Sequence, residues 1–262
     1  MVLLDGQTIL RLENIGLILF LHPGGIYFTA FKEVAGQKGH FRMDIRYIMA
    51  KISSYPTYDY EARLMENKKI SRIAGIDEAG RGPGAGPVVA GAVYIPPDCI
   101  RILAGRLRDS KKMTEKQRVR MYGIIAVQCP FGVGIVDNQT IDAINILQAT
   151  KQAMAKALAD LQARLGSDRP IHYVLIDGNM RVENIKTPCE SIVKGDNKSL
   201  SIAAGAVIAK VTRDRIMGRL HEQYPRYGWN RNKGYLSREH MAAIRDFGTT
   251  PYHRMSYRRV GR

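Results

Sequence analysis

Four acids stand where apolar runs give out. The run 73–76 ends in Asp77-Glu78, the run 173–176 ends in Asp177, and the run 188–193 is followed by Lys194-Gly195-Asp196. Taken singly, each aspartate reads as a turn or cap residue. Gathered at several strand ends they read differently, because clustered carboxylates repel one another and their pKa values rise unless a cation joins them. Hard oxygen ligands of this kind suit Mg²⁺ or Mn²⁺. Directly after Asp77-Glu78 comes a glycine-rich turn, Gly80-Arg81-Gly82-Pro83-Gly84-Ala85-Gly86-Pro87. Bare glycine backbone can approach a phosphate closely, and Arg81 can offer charge-assisted hydrogen bonds to its oxygens. Successive residues of a strand point to opposite faces, so Asp77 and Glu78 are expected to share one site only if the strand stops there.

For these acids to meet, the strands that carry them must lie side by side. From residue 72 the chain reads as α/β, with strands over 72–77, 88–95, 131–136, 172–177 and 188–193. In an open α/β sheet the strand ends bound the crevice where ligands sit. Thr114 with Gln117 predicts a capping box opening a helix to about residue 126. Thr140 is expected to cap a long helix in which Ile141, Ile144, Leu147, Met154, Leu158 and Leu161 recur at helical spacing until Gly166. An alanine-rich helix over 199–217, with Gly205 inside it, is small enough to pack tightly on a sheet, and Ser237 caps a later helix. Residues 44–71 are charged and helix-compatible, divided by Pro56 into two short helices. Residues 1–42 show apolar patches but no clean helical or alternating period; they read as a poorly defined appendage, with Met43 the expected true start. The expected organisation is this appendage (1–42), a helical lead-in (43–71) and a catalytic domain (72–262) whose last part, about 210–262, is basic and helical.

The chain of 262 residues is long enough to bury a sizeable core, and its formal charge of +16 points to a polyanionic partner. Between residues 210 and 262 there are thirteen Lys and Arg against four Asp and Glu, interleaved with Tyr224, Tyr227, Trp229, Tyr235, Tyr252 and Tyr257. Cations mixed with aromatic rings suit phosphate contacts and base or sugar stacking. Three scattered cysteines without a C-x-x-C pair argue against a disulfide scaffold or zinc site and suggest a reducing cytoplasm. No run approaches the length of a membrane span.

The ordered motifs I-A-G-I-D-E-A-G-R-G-P, G-P-V-V-A-G-A-V, D-S-K-K-M-T, L-I-D-G, V-K-G-D-N-K-S-L-S-I-A-A, A-K-V-T-R-D-R, N-K-G-Y and H-R-M-S resemble ribonuclease HII from about residue 72 to 257. The resemblance implies a ribonuclease H-like fold: a five-stranded mixed sheet flanked by helices, then a small C-terminal helical region. It implies endonucleolytic hydrolysis of RNA in RNA–DNA hybrids, including at a single ribonucleotide in duplex DNA, leaving 5′-phosphate and 3′-hydroxyl ends. By position, Asp77, Glu78, Asp177 and Asp196 match the family's catalytic acids and ligands of two Mn²⁺ or Mg²⁺ ions, with Asp196 on the second. Gly80-Arg81-Gly82 matches the loop that reads the ribose 2′-hydroxyl, and Tyr235 matches the tyrosine that stacks at the RNA–DNA junction. Lys111, Lys112, Lys198 and Lys233 are candidates for phosphate contacts, with a solvated cationic face as the alternative. Gly84, Gly86 and Gly205 depart from the family pattern and are expected to loosen the loop or lower helix propensity. A monomer is the default expectation, and docking on a replication clamp is left open.

Two rivals stand beside this reading. Gly80-x-Gly82-x-x-Ala85 approximates a dinucleotide fingerprint, but that motif needs a helix next, and here Pro87 and a β-branched strand follow. A silent hybrid-binding module would keep the basic tail yet could lose any of the four acids; all four are present.

Overall fold

A computed structural model of the chain describes residues 55–68 and 70–261, together with strands at 2–4, 7–12, 17–22, 25–34 and 37–41. It separates into the units Met1–Tyr55 and Pro56–Arg262. The first contains β1 (Val2–Leu4), β2 (Gln7–Leu12), β3 (Leu17–His22), β4 (Gly25–Val34) and β5 (Gln37–Phe41), each antiparallel to the next. Residues 1–42, read from sequence as an appendage without a period, thus carry a five-stranded meander. The signal passed over was in the sequence spacing, with Asp5-Gly6 and Ala35-Gly36 as two-residue, glycine-containing intervals between apolar runs. Residues 43–54, the first part of the expected lead-in, lie outside the described residues.

The second unit opens with α1 (Asp59–Lys68) and a five-stranded mixed sheet follows: β6 (Ile73–Ala79), β7 (Val88–Tyr94), β8 (Phe131–Val136), β9 (Tyr173–Asp177) and β10 (Cys189–Ile192). The order is β10-β9-β6-β7-β8; β10, β9 and β6 run parallel, and β7 and β8 are antiparallel to their neighbours. The central strands β6 and β7 carry helices on both faces, so their residues sort by parity rather than by apolar against polar. Ala74, Ile76, Val174 and Ile176 join the core beneath α4 (Asn138–Leu165). Ile73, Tyr173 and Leu175 face the other way, where α1 and the start of α5 (Leu200–Gln223) lie. A helix not expected from sequence, α2 (Pro97–Leu103), starts with Pro97 in its first turn and packs with α3 (Glu115–Gln128) outside α5.

Gly205 is where α5 touches the sheet. A Cβ on Gly75 would stand 2.1 Å from the Ser201 carbonyl carbon, and one on Gly205 would stand 2.8 Å from the Gly91 oxygen and 3.2 Å from the Asp77 nitrogen. Close approach, rather than a looser helix, is the consequence of glycine at 205.

Local signals held where they were complete. Thr114 and Gln117 form both halves of the capping box, and Ser199 and Ser237 accept from Ile202 and His240 as N-caps. Two expectations are corrected. The cap of α4 is Asp137, whose carboxylate accepts from the Thr140 N–H at 2.7 Å, so Thr140 stands inside the first turn. The long helix is also broken at Asn145 (φ 65°), whose side chain re-caps the next segment through Leu147 and Gln148. Ile144 and Leu147, expected in the core, are partly exposed beside the break. After α5 come the short α6 (Trp229–Asn232) and α7 (Arg238–Phe247). Among the described residues no helix is long and apolar enough to cross a membrane.

Candidate active site

Strand register brings the first two acids together. Parallel pairing of β6 with β9 ends at Ile76↔Ile176, so Asp77 and Asp177 are the next residues on neighbouring strands, spaced about 4.8 Å apart. Both share the parity of Gly75 and Leu175 and so face the α5 side. Next to β9, β10 sets Ile192 beside Asp177, and Lys194 at φ 56° turns the chain into a 3₁₀ turn, Gly195–Asn197. The Asp177 carboxylate accepts from the Gly195 N–H at 2.6 Å and the Asp196 N–H at 3.4 Å. One acid therefore suspends the turn that presents another.

The strand bearing Asp77 does not stop there, as the sequence reading required; β6 continues to Ala79 because β7 stays paired with it through Ala79↔Val89. What ends is its partner on the other side. Beyond Asp77, β6 has only β7 for a neighbour, and on that open side Glu78 feels the charges of both Asp177 and Lys111. Glu78 Oε1 lies 3.4 Å from Arg81 Nη1, while its Oε2 is buried without a hydrogen-bond partner.

The electrostatics follow from burial and crowding. Asp77 and Asp196 are 8% and 5% exposed. Desolvation, then Glu78 and Asp177, hold the Asp77 carboxyl well above the usual aspartate range. Glu78 is also raised by desolvation, against the opposing pull of Arg81. Asp196 is raised by desolvation, then by Asp177 and Asp109. Among the described residues no three acids, histidines or cysteines close into a finished metal cage. The donor set nevertheless fits hard divalent cations: carboxylate oxygens only, mutually repelling, one of them buried and unpartnered.

The other candidates divide. Burial pulls the Lys111 ammonium down, but Asp196, Asp77, Asp109 and Asp177 together push it up, which places it against the carboxylate cluster. Lys112 donates to Asn197 at 3.0 Å, beside Asp196. Lys198 is exposed just past the turn, and Lys233 stands off toward Glu115 at 3.6 Å. Gly80, Arg81 and Gly82 leave β6 directly, with Arg81 and Gly82 exposed. A Cβ on Gly82 would lie 3.4 Å from Tyr235 Cε1, so the exposed tyrosine ring borders the glycine loop although 153 positions separate them in the chain. Sequence reading passed over Asp109 and Asn197. Asp109 caps the turn bearing Lys111 through its N–H at 2.9 Å, and Asn197 donates to Asp196 at 2.9 Å. Both lay inside quoted motifs, D-S-K-K and G-D-N-K, where only the neighbouring charges were weighed.

Behind Tyr235 lies a buried chain of rings whose tautomers are determined by their partners. His240 Nδ1 donates to the Tyr235 carbonyl at 2.9 Å, which leaves Nε2 to accept from Trp229 Nε1 and His253 Nε2, each at 3.1 Å. His253 Nδ1 then accepts from the Thr250 N–H at 2.8 Å. Burial lowers both imidazoles, His253 to about 4.

A family model described as ribonuclease HII matches residues 74–260. The ribonuclease HII of Bacillus subtilis (strain 168) is 50% identical over 196 residues, covering 74% of this chain and 72% of that protein. Among solved structures, that of the PCNA:RNase HII complex from Archaeoglobus fulgidus aligns at TM-score 0.60 and 25% identity, over 72% of this chain and 96% of that one. The crystal structure of Bst-RNase HIII in complex with Mn²⁺ aligns at TM-score 0.62 and 16% identity, over 98% and 91%, a likeness of fold.

Proposed function

The chain belongs to the ribonuclease HII family of ribonuclease H-type endonucleases, and from that premise we propose that it cuts the RNA strand of RNA–DNA hybrids and nicks duplex DNA on the 5′ side of a single embedded ribonucleotide. The observation that carries the reading is the convergence of Asp77, Asp177 and Asp196, with Glu78 holding one buried, unpartnered carboxylate oxygen.

Asp77, Glu78, Asp177 and Asp196 would hold two Mg²⁺ or Mn²⁺ ions, which when bound supply alignment of the attacking water and stabilisation of the attacking and leaving oxygens. The protein's own groups do the rest. Asp177 holds the 195–197 turn so that Asp196 stays at the cluster. Arg81, paired with Glu78, offers its remaining guanidinium donors to a phosphate oxygen. The exposed backbone of Arg81 and Gly82 meets the 2′-hydroxyl, the group that separates RNA from DNA at one position. Beside it, Tyr235 presents a ring for stacking on the sugar or base that follows. Lys111 and Lys112 add positive potential at the rim. Breaking the bond on the 3′-oxygen side leaves a 3′-hydroxyl and a 5′-phosphate. The proposed substrate partner is a hybrid or ribonucleotide-containing duplex; a sliding clamp, as in the Archaeoglobus fulgidus complex, is compatible with this reading and not required by it.

The test is a labelled DNA duplex with one ribonucleotide, incubated with Mg²⁺ or Mn²⁺. A single nick 5′ of the ribonucleotide is expected from the wild type and none from Asp77→Asn. Cleavage that survives the substitution rejects the mechanism.

A further inference from the structure

Two arginines from motifs that the catalytic reading leaves idle, Arg213 in α5 and Arg254 near the C-terminus, are 1% and 0% exposed. Neither makes an ion pair among the described residues; each spends its donors on backbone carbonyls. Arg254 donates through Nη2 to Gly80 (2.6 Å), through Nη1 to Arg81 (3.0 Å) and through Nε to Gly86 (2.9 Å). Arg213 donates through Nη2 to Ala85 (3.1 Å), through Nε to Pro87 (2.9 Å) and through Nη1 to Lys233 (2.8 Å). Burying a guanidinium without a carboxylate is costly, and here six carbonyl dipoles take the acid's place. Five belong to the turn between β6 and β7, and the sixth lies two residues before Tyr235.

The consequence is geometric. Across a trans peptide the C=O of one residue and the N–H of the next point in opposite directions. Holding the Gly80 and Arg81 carbonyls inward on Arg254 therefore turns the Arg81 and Gly82 N–H groups outward. Neither N–H meets an acceptor among the described residues, and both residues are exposed. The glycines of the turn are what admit the arginines: at Gly80 (φ +102°) a Cβ would stand 2.1 Å from Arg213 Nε. Tyr257 completes the clamp, its hydroxyl donating to the Arg81 carbonyl at 2.5 Å and accepting from Arg254 Nη1 at 2.9 Å. The Arg213 bond to Lys233, with the Gly84 N–H on the Gly234 carbonyl at 2.9 Å, ties the turn to the segment that carries Tyr235.

We propose that Arg213 and Arg254 are positioning residues for ribose selection: a pair of internal guanidinium clamps that aim the N–H groups of Arg81 and Gly82 at the substrate and hold Tyr235 in register with them. The proposal rests on the reading of this loop given above. Lysine at either position keeps the charge but can satisfy the carbonyls only from a single point.

The test measures binding of two duplexes by fluorescence anisotropy in Ca²⁺, one all-DNA and one with a single ribonucleotide, and then steady-state cleavage in Mg²⁺. For Arg254→Lys and Arg213→Lys, the preference for the ribonucleotide duplex is expected to fall about tenfold. All-DNA affinity should stay within twofold of wild type, with KM raised about tenfold and kcat within threefold. Tyr257→Phe, which removes only one hydroxyl, should move the preference two- to threefold in the same direction. If the lysine variants lose their cooperative melting transition, Tyr257→Phe decides alone. Full ribonucleotide preference in the folded variants overturns the proposal. A wild type that binds both duplexes equally removes the loop's reading and the proposal together, so the two failures are told apart by the wild-type control.

Discussion

Asp77 is asked to be charged in a place that resists charge. Its carboxyl is held up by burial and by Glu78, Asp177 and Asp196. A folded-state pKa above the unfolded one means that the unfolded chain releases the proton more readily, so stability falls as pH rises through that range and is lower at neutrality. Asp77→Asn should therefore abolish hydrolysis and at the same time raise the melting temperature in EDTA by about 3 °C, the shift expected for roughly 1 kcal/mol in a domain of this size. Mg²⁺ or Mn²⁺ should raise the wild-type melting temperature more than that of the variant. Calorimetry showing the variant to be less stable than wild type in EDTA would count against a repelling carboxylate cluster. His253 works with the opposite sign. Burial first, then His240, depress it to about 4, so its contribution is complete above the unfolded value of about 6.5 and is lost as pH falls toward 4. Measured against His253→Gln, which keeps the carboxylate cluster and its opposite pH dependence, the wild type should lose on the order of 2 kcal/mol more stability between pH 7.5 and 5.0 in urea titrations; equal losses in the two proteins would mean that the ring chain behind Tyr235 tolerates protonation.

Helix α5 is positioned by what it lacks. Its backbone lies on β6 and β7 because Gly75 and Gly205 leave no side chain between them, and the strand residue two beyond Gly75 is Asp77. Gly75→Ala would force the helix and strand apart, with an expected cost of about 3 kcal/mol and weaker Mn²⁺ binding by titration calorimetry; full stability with unchanged metal affinity would show that the contact is not what seats the acid. The elements most legible in sequence were those determined by near neighbours. Thr114 with Gln117, Ser199 and Ser237 announce helix starts within a four-residue window, and the strand over Phe131–Val136 is bounded by Pro130 and Asp137. Asp137 and Thr140 are both good caps three residues apart, and only the finished first turn distinguishes them. The break at Asn145 was hidden because its asparagine interrupts the backbone without interrupting the apolar spacing.

Across the whole molecule the charge of +16 is a statement about partners rather than shape. Affinity for a ribonucleotide-containing duplex should drop on the order of a hundredfold between 50 and 200 mM salt, since released counterions drive the association; a flat salt dependence in anisotropy titrations would argue against a phosphate-tracking surface. That charge, the apolar strands, the acids that close their apolar runs and the caps at Thr114, Ser199 and Ser237 could be read from the sequence, because composition and short-range hydrogen bonds depend on residues a few positions apart. What the tertiary structure alone decided are meetings across long separations. Register 76↔176 sets Asp77 beside Asp177, the turn at 195 hangs on the Asp177 carboxylate, and Arg254 reaches back to the Gly80 carbonyl. No local pattern encodes these contacts, since each depends on a strand alignment or a close backbone approach that exists only once the sheet and its helices have packed.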